Sequence, residues 1–222
     1  SASRASLLTG CYPGRHKIFG AIPPRVRGLD PGYATIAEVM KSAGYATGCY
    51  GKWHVGDEPD TRPPARGFDE SAGLMYSNDM WRHHPETRSF DQYDLQFWEN
   101  DAVVIDDVSP EQQKLLTTWY TEYATDFIDR HKDEPFFLYL AFNAPHTPVQ
   151  PPPEWVKRVK RREKKISGRR AKLAAFIEHL DHGIGQVTAA LKETGAWSNT
   201  LVIFTSDNGG LIRAGADNGP LR

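Results

Sequence analysis

The chain reads as an α/β protein with a mostly parallel sheet sandwiched between helices, and three observations predict this. Apolar, strand-like runs occur at 45–50, 136–142 and 201–205. Helix-type stretches separate them, and such alternation gives a parallel sheet covered on both faces. Each run also empties into polar side chains: Lys52 with His54, then His146, then Asp207 with Asn208. Open α/β sheets bind their ligands at the carboxyl ends of their strands.

Taken in order, a short helix runs from around Arg4 to Gly10, a favourable residue just past a helix end. Thr35 and Glu38 form a capping box for a second helix, with Ile36, Val39 and Met40 as its apolar face and Gly44 as its stop. The strand at 45–50 leads into Gly51-Lys52-Trp53-His54-Val55-Gly56. In extended geometry Lys52 and His54 face the same side, because side chains alternate with period two. Residues 57–108 are polar and aromatic with scattered prolines, and read as functional loops or small accessory elements. Ser109-Pro110 is an N-cap followed by proline at the first helical position. The helix it opens extends to about His131, burying Leu115, Leu116, Trp119, Tyr123, Phe127 and Ile128.

The strand at 136–142 is apolar throughout and ends in Asn143-Ala144-Pro145-His146. Residues 148–170 are proline-rich and then strongly basic, either a solvated loop or helix face, or a positive rim that steers anionic substrates. A third helix carries Leu173, Phe176, Ile177, Leu180, Ile184, Val187 and Leu191 at helical spacing, with Gly195 as terminator. The run Leu201-Val202-Ile203-Phe204-Thr205 has the composition of a strand buried on both faces, and Gly209-Gly210 turn the chain after it.

With 222 residues, 39% hydrophobic and 25% charged, the chain suffices for one globular domain. A net charge of −1 argues against a dedicated nucleic-acid binder. No apolar run approaches the ~20 residues of a membrane span. Cys11 and Cys49 lack zinc-type spacing and are expected as free thiols. Asp207 beside Asn208 is hard-ligand chemistry for Ca²⁺ or Mg²⁺, or else an Asx turn. Two histidines, a lysine and this pair at three strand ends suit an anionic tetrahedral group, sulfate or phosphate.

These motifs resemble those of the type I, formylglycine-dependent sulfatases of the alkaline-phosphatase superfamily, most like arylsulfatases. Ala2-Ser3-Arg4 with Leu8-Thr9-Gly10 matches the first family signature, and Gly44-Tyr45-Ala46-Thr47 with Gly51-Lys52-Trp53-His54 the second. Asn143-Ala144-Pro145-His146 and Ser206-Asp207-Asn208-Gly209 match the third and fourth, and Tyr76-Ser77-Asn78-Asp79 resembles the segment that carries a substrate-contacting serine. The resemblance implies an alkaline-phosphatase-like fold and a sulfuric ester hydrolase acting on aryl or carbohydrate sulfates. It implies that Arg4 holds the nucleophile's hydroxyl and the sulfate, that Lys52 binds sulfate oxygens, and that Ser77 contacts substrate. His54 would take the proton that lets sulfate leave, His146 would protonate the leaving alcohol, and Asp207 and Asn208 would ligate Ca²⁺.

The family's nucleophile is formylglycine, a modified Cys or Ser, expected immediately before Ser1 and installed by a formylglycine-generating enzyme. The N-terminal metal-binding aspartates, a second sulfate-binding lysine beyond Asn218-Gly219-Pro220-Leu221-Arg222 and a small C-terminal domain are likewise expected outside these residues. The chain therefore reads as a partial catalytic domain, inactive alone, of a protein that the resemblance places outside the cytoplasm. Its rivals are a phosphatase or phosphodiesterase of the same superfamily, a zinc hydrolase built on His54, His146 and Asp207, and a non-catalytic sulfated-glycan binder.

Overall fold

Period-two alternation along the strands decides how the layers stack. In a computed structural model, which describes residues 1–220, Cys49, Phe137 and Tyr139 face one core with Ala5, Leu8, Trp53 and Phe68. Their neighbours Tyr50, Leu138 and Leu140 face a second core with Phe97, Leu116, Tyr120 and Phe127. Leu221 and Arg222, the end of the stretch from Asn218 noted above, lie outside the described residues.

The elements are α1 (Ala2–Thr9), α2 (Pro13–His16), α3 (Ile36–Ser42), β1 (Ala46–Lys52), β2 (Glu70–Leu74), β3 (Phe97–Glu99) and β4 (Ala102–Ile105). They continue with α4 (Pro110–Gln113), α5 (Leu116–Arg130), β5 (Phe136–Ala141), α6 (Pro153–Arg162) and α7 (Gly168–Glu193). The sheet has the order β4-β3-β2-β1-β5. β1 is parallel to both β2 and β5, whereas β3 and β4 form an antiparallel edge. The sheet is thus mixed, with helices on both faces, as the sequence predicts.

Local signals set the boundaries. Gly10 closes α1 with φ 67°, and the Thr35–Glu38 capping box at α3 has both of its bonds. A second box, Ser109 with Gln112, starts α4. The single helix expected from Ser109 to His131 is broken at Lys114-Leu115 into α4 and α5.

Two expectations are corrected. Residues 57–108 supply more than loops: β2 lies inside the sheet, and Trp81, Leu95, Phe97 and Val108 join the second core. The segment 201–205 forms no strand. Leu201, Ile203 and Phe204 are 85%, 75% and 79% exposed, because a doubly buried strand needs hydrogen-bonded neighbours and no described strand pairs with this segment. The basic stretch 148–170 contains the helix α6. Among the described residues no helix is long and apolar enough to cross a membrane.

Candidate functional site

Parallel pairing of β1 with β2 and β5 brings three chain exits to one edge of the sheet. Lys52 ends β1, the turn through Ser77 follows β2, and Asn143 to His146 follows β5. α1 packs against the same edge and carries Arg4 on its buried face.

Arg4 is the hub. Its Nη1 donates to the Lys52 carbonyl at 2.5 Å and to the Tyr139 hydroxyl at 3.3 Å. Nη2 lies 3.3 Å from Asp207 Oδ2, and Nε is buried with no bonded partner. Lys52, 5% exposed, donates from Nζ to Ser77 Oγ at 3.0 Å. Burial first, and then the Arg4 charge, push the Lys52 pKa down to about 8. Two buried cations thus face the half-exposed Asp207, Asp79 also acts on Lys52, and the unbonded Arg4 Nε is a donor that an anion would satisfy.

His54 sits beside them, buried, with its ring edge-on to Tyr76 at 5.8 Å. Its backbone has φ 61°, so the extended geometry behind the same-side expectation stops short of this residue. His54 N nevertheless donates to Met75 O at 2.9 Å, which keeps the residue on the β2 side. Burial, then Lys52, drive its pKa down to about 2, so the ring is neutral. Nε2 lies 3.2 Å from Ile22 O. A neutral ring bonded to a carbonyl carries its proton on that nitrogen, which leaves Nδ1 as the basic atom.

The remaining residues are less tightly gathered. His146 is exposed just after β5; its backbone N donates to Asn143 O, and among the described residues its ring meets only its neighbour's carbonyl, Thr147 O, from Nδ1 at 2.8 Å. Asp207 reaches the cluster through Arg4, but Asn208 is exposed and donates to Gly209 O. The structure therefore joins Arg4, Lys52, Ser77 and Asp207 by direct contacts, sets His54 beside them, and leaves the His146 ring and the Asn208 amide exposed, each bonded to its own neighbour's carbonyl.

Asp207 and Asn208 have the hard oxygens Ca²⁺ prefers, yet that ion takes six to eight. Among the described residues no group of three or more His, Cys, Asp or Glu side chains converges on one point. These residues alone do not make a calcium site, and the zinc hydrolase of His54, His146 and Asp207 lacks its cluster for the same reason.

Three participants escaped the sequence reading. Tyr139 hydrogen-bonds Arg4, and its position at period two on β5 was the available signal. Asp79 acts electrostatically on both Lys52 and His84, and it lies within the Tyr76-Ser77-Asn78-Asp79 motif. Asn78 is fully buried with neither amide atom bonded.

A family model described as Sulfatase matches residues 1–221. Arylsulfatase J of Mus musculus is 35% identical over 228 residues, an alignment that spans 99% of this chain and 36% of that protein. N-acetylgalactosamine-6-sulfatase of Homo sapiens is 31% identical over 240 residues, spanning 99% and 43%. The crystal structure of Ps i-CgsB in complex with k-i-k-neocarrahexaose superposes with a TM-score of 0.84 at 31% identity, covering all of this chain and 50% of that one. PsFucS1 sulfatase from Pseudoalteromonas sp., at 24% identity and a TM-score of 0.79, shares the fold. The chain thus spans between about a third and a half of the proteins it matches.

Proposed function

The chain belongs to the sulfatase family, and from that premise we propose that it forms part of the catalytic domain of a sulfuric ester hydrolase cleaving aryl or carbohydrate sulfates. The observation that carries the proposal is the buried pair of cations, Arg4 and Lys52, at the carboxyl edge of the sheet with Ser77 Oγ on the lysine. That pair supplies charge where a sulfate's oxygens would lie, in a site already shielded from water.

Each side chain has a proposed task. Lys52 and Arg4 bind sulfate oxygens, and Ser77 fixes the lysine and meets the substrate. A hydrated formylglycine, from a Cys or Ser preceding Ser1 and matured by its generating enzyme, would supply the attacking hydroxyl. His54 presents Nδ1 for the proton, and a bound anion, by offsetting the Lys52 and Arg4 charges, would raise the basicity that burial and those cations hold down. His146, on the rim where the alcohol portion would depart, donates one. Ca²⁺ is proposed with Asp207 as a ligand, and Asn208 would join only if its amide turned inward. Other donors must complete the shell, so no step is assigned to the metal. An exported location belongs to the same reading.

The test is inorganic sulfate release by the full-length protein from 4-nitrophenyl sulfate and from carbohydrate sulfates. Replacing Lys52 with Ala should lower kcat/KM by about 10²–10³-fold, the scale for one oxyanion donor. Faster turnover of phosphate esters, with two zinc ions per chain, would favour the related phosphatases instead. Tight glycan binding without any turnover would favour a non-catalytic binder.

A further inference from the structure

The molecule is almost neutral, but its charge is unevenly spread. Between Lys157 and Arg170 stand nine Lys and Arg residues and a single acidic residue, Glu163. α6 explains how they are displayed. Val159 is fully buried against Ala171 and Ala175 of α7, with Trp155 and Val156 packed beside it. The opposite face therefore points to solvent. Lys157, Lys160 and Arg161 lie on it, and Lys164 follows just beyond the helix end, a spacing that aligns all four.

Of the other five, all but Lys165 are already committed. Arg158 and Arg162 pair with Glu178 of α7, while Arg169 and Arg170 bind the carbonyls of Arg213 and Gly215. Among the described residues no acidic partner lies within ion-pair distance of Lys157, Lys160, Arg161 or Lys164. The face is a fixed positive surface rather than half of an internal ion-pair network.

Its position relates it to the site from two directions. Pro153, the first residue of α6, is seven residues from His146, at most about 25 Å of chain. On the other side, Arg169 and Arg170 hold the segment 211–215, which begins four residues after Asp207. The basic hairpin of α6 and α7 is thus tied at both ends to segments that carry proposed site residues.

Resting on the sulfatase reading above, we propose that Lys157, Lys160, Arg161 and Lys164 form an exosite for further sulfate groups of a polymeric, multiply sulfated glycan whose scissile ester occupies the Arg4–Lys52 hollow. Several sulfates regularly spaced along one chain match several cations held on one helix face. A singly sulfated small ester has no group to place there. The four residues act on capture and positioning and touch no reacting atom.

The test compares the full-length enzyme with its K157Q/K160Q/R161Q/K164Q variant on a multiply sulfated galactan hexasaccharide and on 4-nitrophenyl sulfate. The hexasaccharide kcat/KM should fall about tenfold or more at low salt, within the range for electrostatic steering. The deficit should shrink near 0.5 M salt, where the screening length is only about 4 Å. Turnover of 4-nitrophenyl sulfate should be unchanged. An equal loss on both substrates, or no loss on the hexasaccharide, overturns the proposal. So does a DNA duplex of equal charge that binds the enzyme as tightly as the hexasaccharide and loses that affinity in the variant. If the wild-type enzyme hydrolyses neither ester, the sulfatase reading fails by itself. Titration with the hexasaccharide then decides the exosite: weaker, less salt-sensitive binding by the variant supports it, and unchanged binding overturns it.

Discussion

Lys52 illustrates how a binding residue weakens the fold that holds it. Its ammonium is buried, lies beside Arg4 and among the described residues donates only to Ser77 Oγ, so the charged form is disfavoured. The folded pKa of about 8 lies below the ordinary 10.5, so the unfolded chain binds more protons between those values. Stability therefore rises with pH across that window, and the full penalty is present below pH 8. Lys52→Met should stabilise the protein by about 1–3 kcal/mol at pH 7, flatten the rise in stability above pH 8 and abolish sulfate binding. Denaturant unfolding from pH 7 to 10.5, with a sulfate titration at each pH, checks all three. In the wild-type protein sulfate affinity should decline above pH 8 as the ammonium is lost. His54 shows a related compromise, since a buried ring with φ 61° is held in a sparsely populated backbone region by its surroundings.

At the scale of elements, one tight constraint is the contact of β1 with β5. Gly51 has φ 116°, and a Cβ there would lie 2.2 Å from the Ala141 carbonyl oxygen. Gly51→Ala should cost more than about 3 kcal/mol, because it imposes both a strained backbone and a backbone clash in the central pairing. Thermal unfolding measures that loss, and a Lys52 pKa moved back toward its ordinary value would show that the strand end has shifted. The entry to α3 is a second joint. Arg66, fully buried, binds Glu38, the Leu29 carbonyl and the Tyr33 carbonyl, while Thr35 Oγ1 donates to Arg66 O. Arg66→Met should destabilise by about 3–5 kcal/mol, since it leaves buried acceptors unpaired, whereas Thr35→Val removes one cap at about 1–2 kcal/mol.

The same elements explain what could be read from the sequence. β5 was legible because apolar residues fill both of its faces, β1 because a short uncharged run with two tyrosines lies between Gly44 and Gly51, and α3 because its cap residues are specific. β2 was not legible: Glu-Ser-Ala-Gly-Leu lacks β-branched or aromatic residues, and Gly73 is required by a neighbour, since a Cβ there would meet the Gly51 carbonyl oxygen at 2.0 Å. That requirement exists only after the strands pair. Strand-end logic placed Lys52 at the sheet edge, whereas Arg4 followed from the family resemblance, and Asp207 meets Arg4 although 201–205 forms no strand. The contacts of Asn208 and His146 depend on loop conformation that spacing does not encode.

For the whole molecule, both outer strands of the sheet have a single partner among the described strands: β4, four residues long, pairs with β3, and β5, six residues long, pairs with β1. β5 is apolar at every position yet only half-buried over most of its length. Leu201, Ile203 and Phe204 present further exposed apolar surface on a segment without secondary structure. An unpaired strand edge and an exposed apolar segment in one chain together favour intermolecular strand pairing. The 222-residue chain should therefore self-associate as its concentration rises, and light scattering with a β-sensitive infrared signal would register it. Ile203→Lys with Phe204→Lys should suppress that association without lowering the unfolding temperature, because neither side chain is buried. Amide exchange supplies the complementary reading. Backbone amides of 201–205 should exchange near the rate of an unstructured chain, and those of β1, hydrogen-bonded on both sides, should be the slowest in the sheet. Protection at 201–205 that appears only at high concentration would identify this segment as the pairing strand, and protection in the dilute monomer would show that the open edge is already filled.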